Sequence, residues 1–185
     1  MTILSLQDAW LVHDLALLVS KSEILILNEN LVDGISLVRR LVIQFEGKSI
    51  PRIPFIKDGV WKLRTFISEN ATLGNTEFNF KSLRVLKLYG NFIKELPSSI
   101  ALLIHLRLLN ITSTYIKVLP KAITKLYNLQ TLRVEYCNNL KELLEDLKNL
   151  INLRHIYFDG YEIGRAPKGL GQLTCLQTLQ CFIVG

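Results

Sequence analysis

The sequence predicts an α/β solenoid, with a curved parallel sheet on the concave face, an irregular or short helical convex side, and an N-terminal helical cap. Three observations lead there. A leucine opening a short apolar-alternating stretch recurs at Leu83, Leu106, Leu129, Leu153 and Leu176, in steps of 23, 23, 24 and 23 residues. Each recurrence carries the same internal template. The chain of 185 residues is 49% hydrophobic, enough for one domain with a sizeable core.

The first 35 residues differ from the rest. Leu11, Val12, Leu15, Leu18 and Val19 recur at helical spacing after Asp8, and Ile24 to Leu27 then reads as a strand. This segment, residues 1–35, is expected to cap the solenoid, because terminal coils must be shielded from water. Residues 36–185 form the repeat domain, irregular over 36–79 and regular over 80–185. In the irregular part, Leu41 with Ile43 and Phe45, and Leu63 with Phe66, are expected to open two coils at steps of 22 and 20 residues. Ser68 to Asn79, with Asn70, Gly74, Asn75 and Thr76, reads as a polar convex loop.

In the regular part, apolar residues follow each opening leucine at +3 and +5: Leu86 and Leu88, Leu109 and Ile111, Leu132 and Val134, Ile156 and Phe158, Leu179 and Cys181. Alternation puts these side chains on one face of a strand. An apolar-proline step follows, at Leu96-Pro97, Leu119-Pro120 and Ala166-Pro167, where proline stops regular pairing and turns the chain back. The third unit has Leu143-Leu144 instead, displaced by one residue, which accounts for its longer step. One coil cannot bury its own leucines, so coils stack strand beside strand. At +8 stand Asn91, Thr114, Cys137 and Tyr161. A small polar side chain there can bond the adjacent coil's backbone, and Tyr161, too large for that, predicts a locally altered coil.

The template Leu-xx-Leu-x-Leu-xx-(Asn/Thr/Cys)-x-Ile-Lys-x-Leu-Pro is that of a leucine-rich repeat solenoid and resembles the repeat of plant disease-resistance proteins of the nucleotide-binding, leucine-rich-repeat class. Val12-His13-Asp14-Leu15-Ala16 resembles the helix ending that family's nucleotide-binding region, so residues 1–35 resemble a remnant of its winged-helix end. Val38-Arg39-Arg40-Leu41 resembles the start of the family's repeats, and Leu176-Gln177-Thr178-Leu179 followed by Phe182-Ile183-Val184-Gly185 resembles a phrase common within them. Two departures matter. Asp8-Ala9-Trp10 stands where the family's Met-His-Asp switch is expected, and no G-x-x-x-x-G-K-[ST] loop occurs; Gly164 and Gly169 have the first spacing but Leu170 follows. No nucleotide or other cofactor is expected. The family pattern also implies a fragment, because Gly185 falls within the array.

Residues between the inward leucines are expected on the concave face. The candidate protein-binding set is Lys87, Tyr89, Asn110, Thr112, Arg133, Glu135, His155, Tyr157, Asp159, Gln180 and Phe182, together with Val85, Leu108, Thr131 and Thr178. Tyrosine and arginine dominate binding energy at protein interfaces. By the resemblance, the partner is a pathogen effector or the receptor's own nucleotide-binding module. No catalytic set is expected: His155 and Asp159 lack a nucleophile, and no histidine is placed to activate Cys137.

The formal charge is +6, but Lys57, Lys62, Arg64, Lys81, Arg84, Lys87, Lys94 and Arg107 are spaced rather than gathered, which reads as solvated surface. A nucleic-acid partner is not expected without a concentrated stripe. No stretch approaches the roughly 18 apolar residues of a membrane span, and Asp8 and Asp14 before Leu15 to Val19 give the wrong charge order for a signal peptide. Cys137, Cys175 and Cys181 form no CxxC pair and make an odd count, as in a reducing compartment. A cytoplasmic location is expected. Two alternatives remain. One is an extracellular receptor ectodomain, suggested by the sequons Asn70-Ala71-Thr72 and Asn110-Ile111-Thr112; the other is a cytosolic scaffold of the Ras-associated repeat type.

Overall fold

The computed structural model describes residues 24–27, 38–44, 62–70, 78, 80–140, 143–158 and 169–181. Among these, eight strands form one parallel sheet in chain order: β1 (Ile24–Leu27), β2 (Arg40–Gln44), β3 (Thr65–Glu69), β4 (Val85–Tyr89), β5 (Leu108–Thr112), β6 (Thr131–Glu135), β7 (His155–Phe158) and β8 (Thr178–Cys181). The expected strand at Ile24 to Leu27 is therefore the first of this sheet, paired with β2. The helical spacing at Leu11 to Val19 lies outside the described residues, as do Phe45, the Ala166-Pro167 step and Tyr161.

Alternation decides which face each side chain takes. Across β4 to β7 the +3 and +5 residues, from Leu86 and Leu88 to Ile156 and Phe158, are buried, with the residues between them largely half-buried. Because the repeat advances one coil per strand, these residues stack in register, Leu86 beside Leu109, then Leu132, then Ile156. Each such leucine stabilises by about 1.5–3 kcal/mol relative to exposure. At β8 the pattern breaks, and Leu179 is 48% exposed. No described strand pairs with the far side of β8, so a leucine in the inward position there lacks half its neighbours.

The convex return is made of single-turn 3-10 helices at Ser98–Leu102, Lys121–Lys125, Glu145–Asn149 and Leu170–Gln172. Pro97 and Pro120 precede the first two with φ of −67° and −68°, and Leu144 takes their place before the third with φ of −63°. In each case the residue three positions on donates its N–H back to that carbonyl: Ile100 to Pro97, Ile123 to Pro120 and Leu147 to Leu144. The proline sets φ covalently. Leu144 reaches the same geometry through packing, since it is half-buried against the core.

The irregular coils depart from the expected alignment in two places. Leu41 pairs with Phe66, not with Leu63, so Leu41 holds the +3 position and buried Val38 opens that coil. Val38 to Leu63 is a step of 25 residues rather than 22. The arginines that precede Leu41 had hidden this, because Val38 is a weaker apolar signal than the leucine. The stretch read as a polar loop also begins inside β3 and ends in core: Ser68 is strand, and Phe78 is fully buried. Phe78 and Phe80 pack with ring centroids 6.3 Å apart, and Phe80 lies 5.7 Å from Phe66. Aromatic volume thus fills a coil only 20 residues long.

Two lateral ladders tie the coils together. Past β3, β4, β5 and β6 the residue at +7 is left-handed, with φ of 56° at Asn70, 111° at Gly90, 55° at Ser113 and 55° at Tyr136. At +8, Thr114 is fully buried with its hydroxyl 3.1 Å from Cys137 Sγ, and that thiol reaches the Ile111 carbonyl at 3.5 Å. Thr114 and Cys137 fill the expected ladder role; Asn91 does not, being exposed. On the other edge, Asn128 Nδ2 donates to the Ile104 carbonyl at 2.8 Å, and Asn152 Nδ2 to the Tyr127 carbonyl at 2.7 Å. These side chains satisfy carbonyls the turn leaves open.

Candidate binding face

The pairing register arranges the outward strand residues in three rows across the concave sheet. Ile67, Lys87, Asn110, Arg133, Tyr157 and Gln180 form the central row. Glu69, Tyr89, Thr112 and Glu135 form the row at the strand ends, and Val85, Leu108, Thr131, His155 and Thr178 the row at their beginnings. Neighbours within a row stand about 4.8 Å apart. Of the expected set, Asp159 and Phe182 lie outside the described residues, and the remaining thirteen all fall on these rows.

Arg133 is the most constrained of them. Its Nε lies 3.2 Å from Glu135 Oε2, and its guanidinium carbon sits 4.4 Å from the centroid of the Tyr157 ring. A cation within about 6 Å of a ring face is attracted by the ring quadrupole. The Arg133 side chain is 41% exposed, so the ion pair itself adds little stability. Its effect is to hold a long side chain in one orientation, which lowers the ordering cost when a partner binds.

Asn110 has a different part. It is only 9% exposed, donates from Nδ2 to Tyr89 Oη at 3.3 Å, and accepts from the Thr112 hydroxyl at its Oδ1. It braces Tyr89 and Thr112 beneath the surface more than it offers atoms to a partner. Tyr89 is held above the usual phenol range, first by burial and then by the Glu69 carboxylate, with Arg133 opposing both. It is therefore a neutral donor at physiological pH. His155 Nδ1 lies 3.1 Å from Thr178 Oγ1, tying β7 to β8.

Sequence reasoning missed the β2 and β3 part of this face. Gln44 Nε2 donates to Glu69 Oε2 at 3.2 Å, and Ile67, Glu69, Asn70, Lys87 and Tyr89 line an open hollow of about 380 Å3. The alternation of Thr65 to Glu69 was readable, but the misaligned step before it concealed which residues paired. Among the described residues no group of three His, Cys, Asp or Glu could hold a metal ion, and no helix is long and apolar enough to cross a membrane.

Comparison with known proteins agrees with this geometry. The family model described as "Leucine-rich repeat region" matches residues 62–185. No curated protein matches the sequence. Among solved structures, the chain is similar to the ectodomain of the plant membrane receptor kinase GASSHO1/SCHENGEN3 from Arabidopsis thaliana, in complex with CASPARIAN STRIP INTEGRITY FACTOR 2, with TM-score 0.65 and 20% identity over 84% of this chain and 20% of that one. It is similar to an internalin (inlF) from Listeria monocytogenes, TM-score 0.56 and 16% identity, over 88% of this chain and 48% of that one. It is also similar to the repeat domain of the type III effector XCV3220 (XopL), TM-score 0.57 and 16% identity, over 97% of this chain and 84% of that one. The chain thus spans a fifth of the plant ectodomain and about half of the internalin. At these identities the likeness is one of fold.

Proposed function

We propose a function on the premise that the chain belongs to the leucine-rich repeat family, whose model it matches over residues 62–185. A repeat region of this kind is a protein-interaction module. The finer reading is that it serves a plant innate-immune receptor of the nucleotide-binding, leucine-rich-repeat class, in the cytoplasm. It recognises a pathogen effector or docks on the receptor's own nucleotide-binding module, and it has no catalytic chemistry of its own. The likeness of Val12 to Ala16 and of Val38 to Leu41 to that class supports this reading. Asn110 is in keeping with it, since it is only 9% exposed and its Nδ2 donates to Tyr89 Oη, which leaves little room for a glycan at that sequon, whereas Asn70 of the other sequon is exposed.

The observation that carries the recognition role is Arg133 locked between Glu135 and Tyr157 at the centre of the concave sheet. An oriented arginine stacked on a tyrosine is the kind of group on which interface energy concentrates. The test is co-expression with a nucleotide-binding module of the same receptor class, followed by affinity capture. Association that Arg133→Glu or Tyr157→Ala abolishes and Lys121→Glu leaves intact is expected. Absence of association, or equal loss with the convex variant, would overturn the reading.

A further inference from the structure

The cations that look scattered in sequence are gathered by the fold. Arg64, Arg84, Arg107 and Arg154 each directly follow the residue that opens a coil, and all four are exposed. Their backbones are locked in register: the Arg64 carbonyl accepts the N–H of Arg84 at 2.8 Å and of Val85 at 2.9 Å, and the Arg84 carbonyl accepts those of Arg107 and Leu108 at 2.8 and 3.0 Å. A spacing of about 20 residues in the chain becomes about 4.8 Å across the sheet edge, broken in one coil by Gln130. The acidic residues among the described positions, Glu69, Glu95, Glu135, Glu145 and Asp146, all lie elsewhere in their coils, and no described ion pair engages these four arginines.

A second row stands three residues earlier in the chain and shares two coils with the first, Ile104 with Arg107 and Ile151 with Arg154, while Tyr127 accompanies Gln130. Ile104, Tyr127 and Ile151 occupy one repeat position, two residues before the opening leucine, and are 54%, 58% and 61% exposed. The Asn128 and Asn152 ladder holds the backbone of that row, since it bonds the carbonyls of Ile104 and Tyr127 themselves. Large apolar side chains kept exposed in register, in coils that carry a cationic row, mark an interaction surface.

We infer that this edge, separate from the concave face, is a second docking surface for an amphipathic helix of a partner protein, with an acidic stripe beside an apolar one. Carboxylates at i and i+3 or i+4 on a helix stand about 5–6 Å apart, which matches the arginine spacing better than alternate residues of an extended strand, about 6.6 Å apart. A polyphosphate would engage the arginines and leave Ile104, Tyr127 and Ile151 in water, so a nucleic acid fits the edge less well.

The test uses the full chain and four labelled probes read by fluorescence anisotropy: a helical peptide of adjacent glutamate and leucine stripes, a scrambled peptide of equal composition, single-stranded DNA, and phosphatidylserine vesicles. The striped peptide is expected to bind, and Arg84→Glu with Arg107→Glu is expected to weaken it by about tenfold or more. Ile104→Ser with Ile151→Ser is expected to weaken it about fivefold, and Tyr157→Ala on the concave face to leave it unchanged. Where the charge reversal perturbs the far-ultraviolet circular dichroism, Arg84→Gln with Arg107→Gln reads the same effect. No binding by the striped peptide, equal binding by the scrambled one, tighter binding of DNA or vesicles, or indifference to the edge variants would overturn the inference. The concave-face reading stands or falls separately, on Arg133 and Tyr157.

Discussion

Gly90 sits so close to Asn70 of the preceding coil that a Cβ added to it would lie 2.9 Å from the Asn70 Cα and 2.9 Å from its backbone nitrogen. The obstruction is backbone, which cannot swing aside as a flexible side chain can. Gly90 is also left-handed, with φ of 111°, far from the region an L side chain tolerates. Gly90→Ala is therefore expected to destabilise the chain by about 2–4 kcal/mol, combining backbone strain with overpacking. Ser113, at the same repeat position with φ of 55°, already carries a Cβ, and Ser113→Gly is expected to stay within about 0.5 kcal/mol of the parent. Urea unfolding of both variants checks the contrast, and equal losses would refute the backbone argument.

Cys137 is part of a ladder and Cys175 is not. Cys137 is buried beside Thr114, whereas Cys175 is exposed. A thiol reacts through its exposed thiolate, so iodoacetamide is expected to alkylate Cys175 in the folded chain and to spare Cys137 until denaturant is added. Peptide-level mass spectrometry reads the two sites separately. Native labelling of Cys137 at the rate of Cys175 would contradict its placement in the core.

These ladders show how far the sequence could be read. The strand positions from Leu83 onward, the proline turns and the one-residue insertion before Leu143-Leu144 were legible because a repeat states its register several times. Val38 was not, because one weak apolar residue ahead of two arginines gives less signal than Leu41. Phe78 was hidden among polar residues, and its burial depends on Phe80 and Phe66, which are distant from one another in the alternation. Most of the concave set could be placed from alternation alone. That Asn110 braces Tyr89 rather than facing a partner depends on a lateral bond between coils, which no single strand's pattern contains. The arginine edge is hidden for the opposite reason: Arg64, Arg84 and Arg107 stand 20 and 23 residues apart in the chain, and only the solenoid gathers them across coils.

Tyr89 gives the concave face a defined alkaline limit. Burial and then Glu69 hold its phenol above the ordinary tyrosine value, with Arg133 opposing. A group whose folded value is raised contributes stability that is present below its unfolded value and lost as pH rises through the folded one. Tyr89 should thus stay protonated at neutral pH and ionise only above the ordinary tyrosine range, held back by its burial and the facing Glu69 carboxylate and not by the Asn110 Nδ2 donor, which a phenolate also accepts. Ultraviolet titration of phenolate absorbance, compared with Tyr89→Phe, should show one tyrosine ionising late. Glu69→Gln should bring that step down and Arg133→Met should push it up. Opposite signs for those two variants would contradict the electrostatic assignment.

Ser68 occupies the +5 position that Leu88, Ile111, Val134 and Phe158 fill in later coils, and it is fully buried. Its hydroxyl is the one buried side-chain polar atom without a hydrogen-bond partner among the described residues. A buried polar group left unpaired costs about 1–3 kcal/mol in desolvation, whereas the small apolar group of alanine carries no such cost. Ser68→Ala is expected to raise stability by about 0.5–1.5 kcal/mol, seen as a higher urea midpoint at unchanged m-value. Ser68→Val adds two methyl groups, and its gain over alanine measures how much space β3 leaves against Ile43 and Leu88, its neighbours in the pairing register. A loss of 1 kcal/mol or more with Ser68→Ala, on the order of a broken hydrogen bond, would mean that the hydroxyl has a partner in solution.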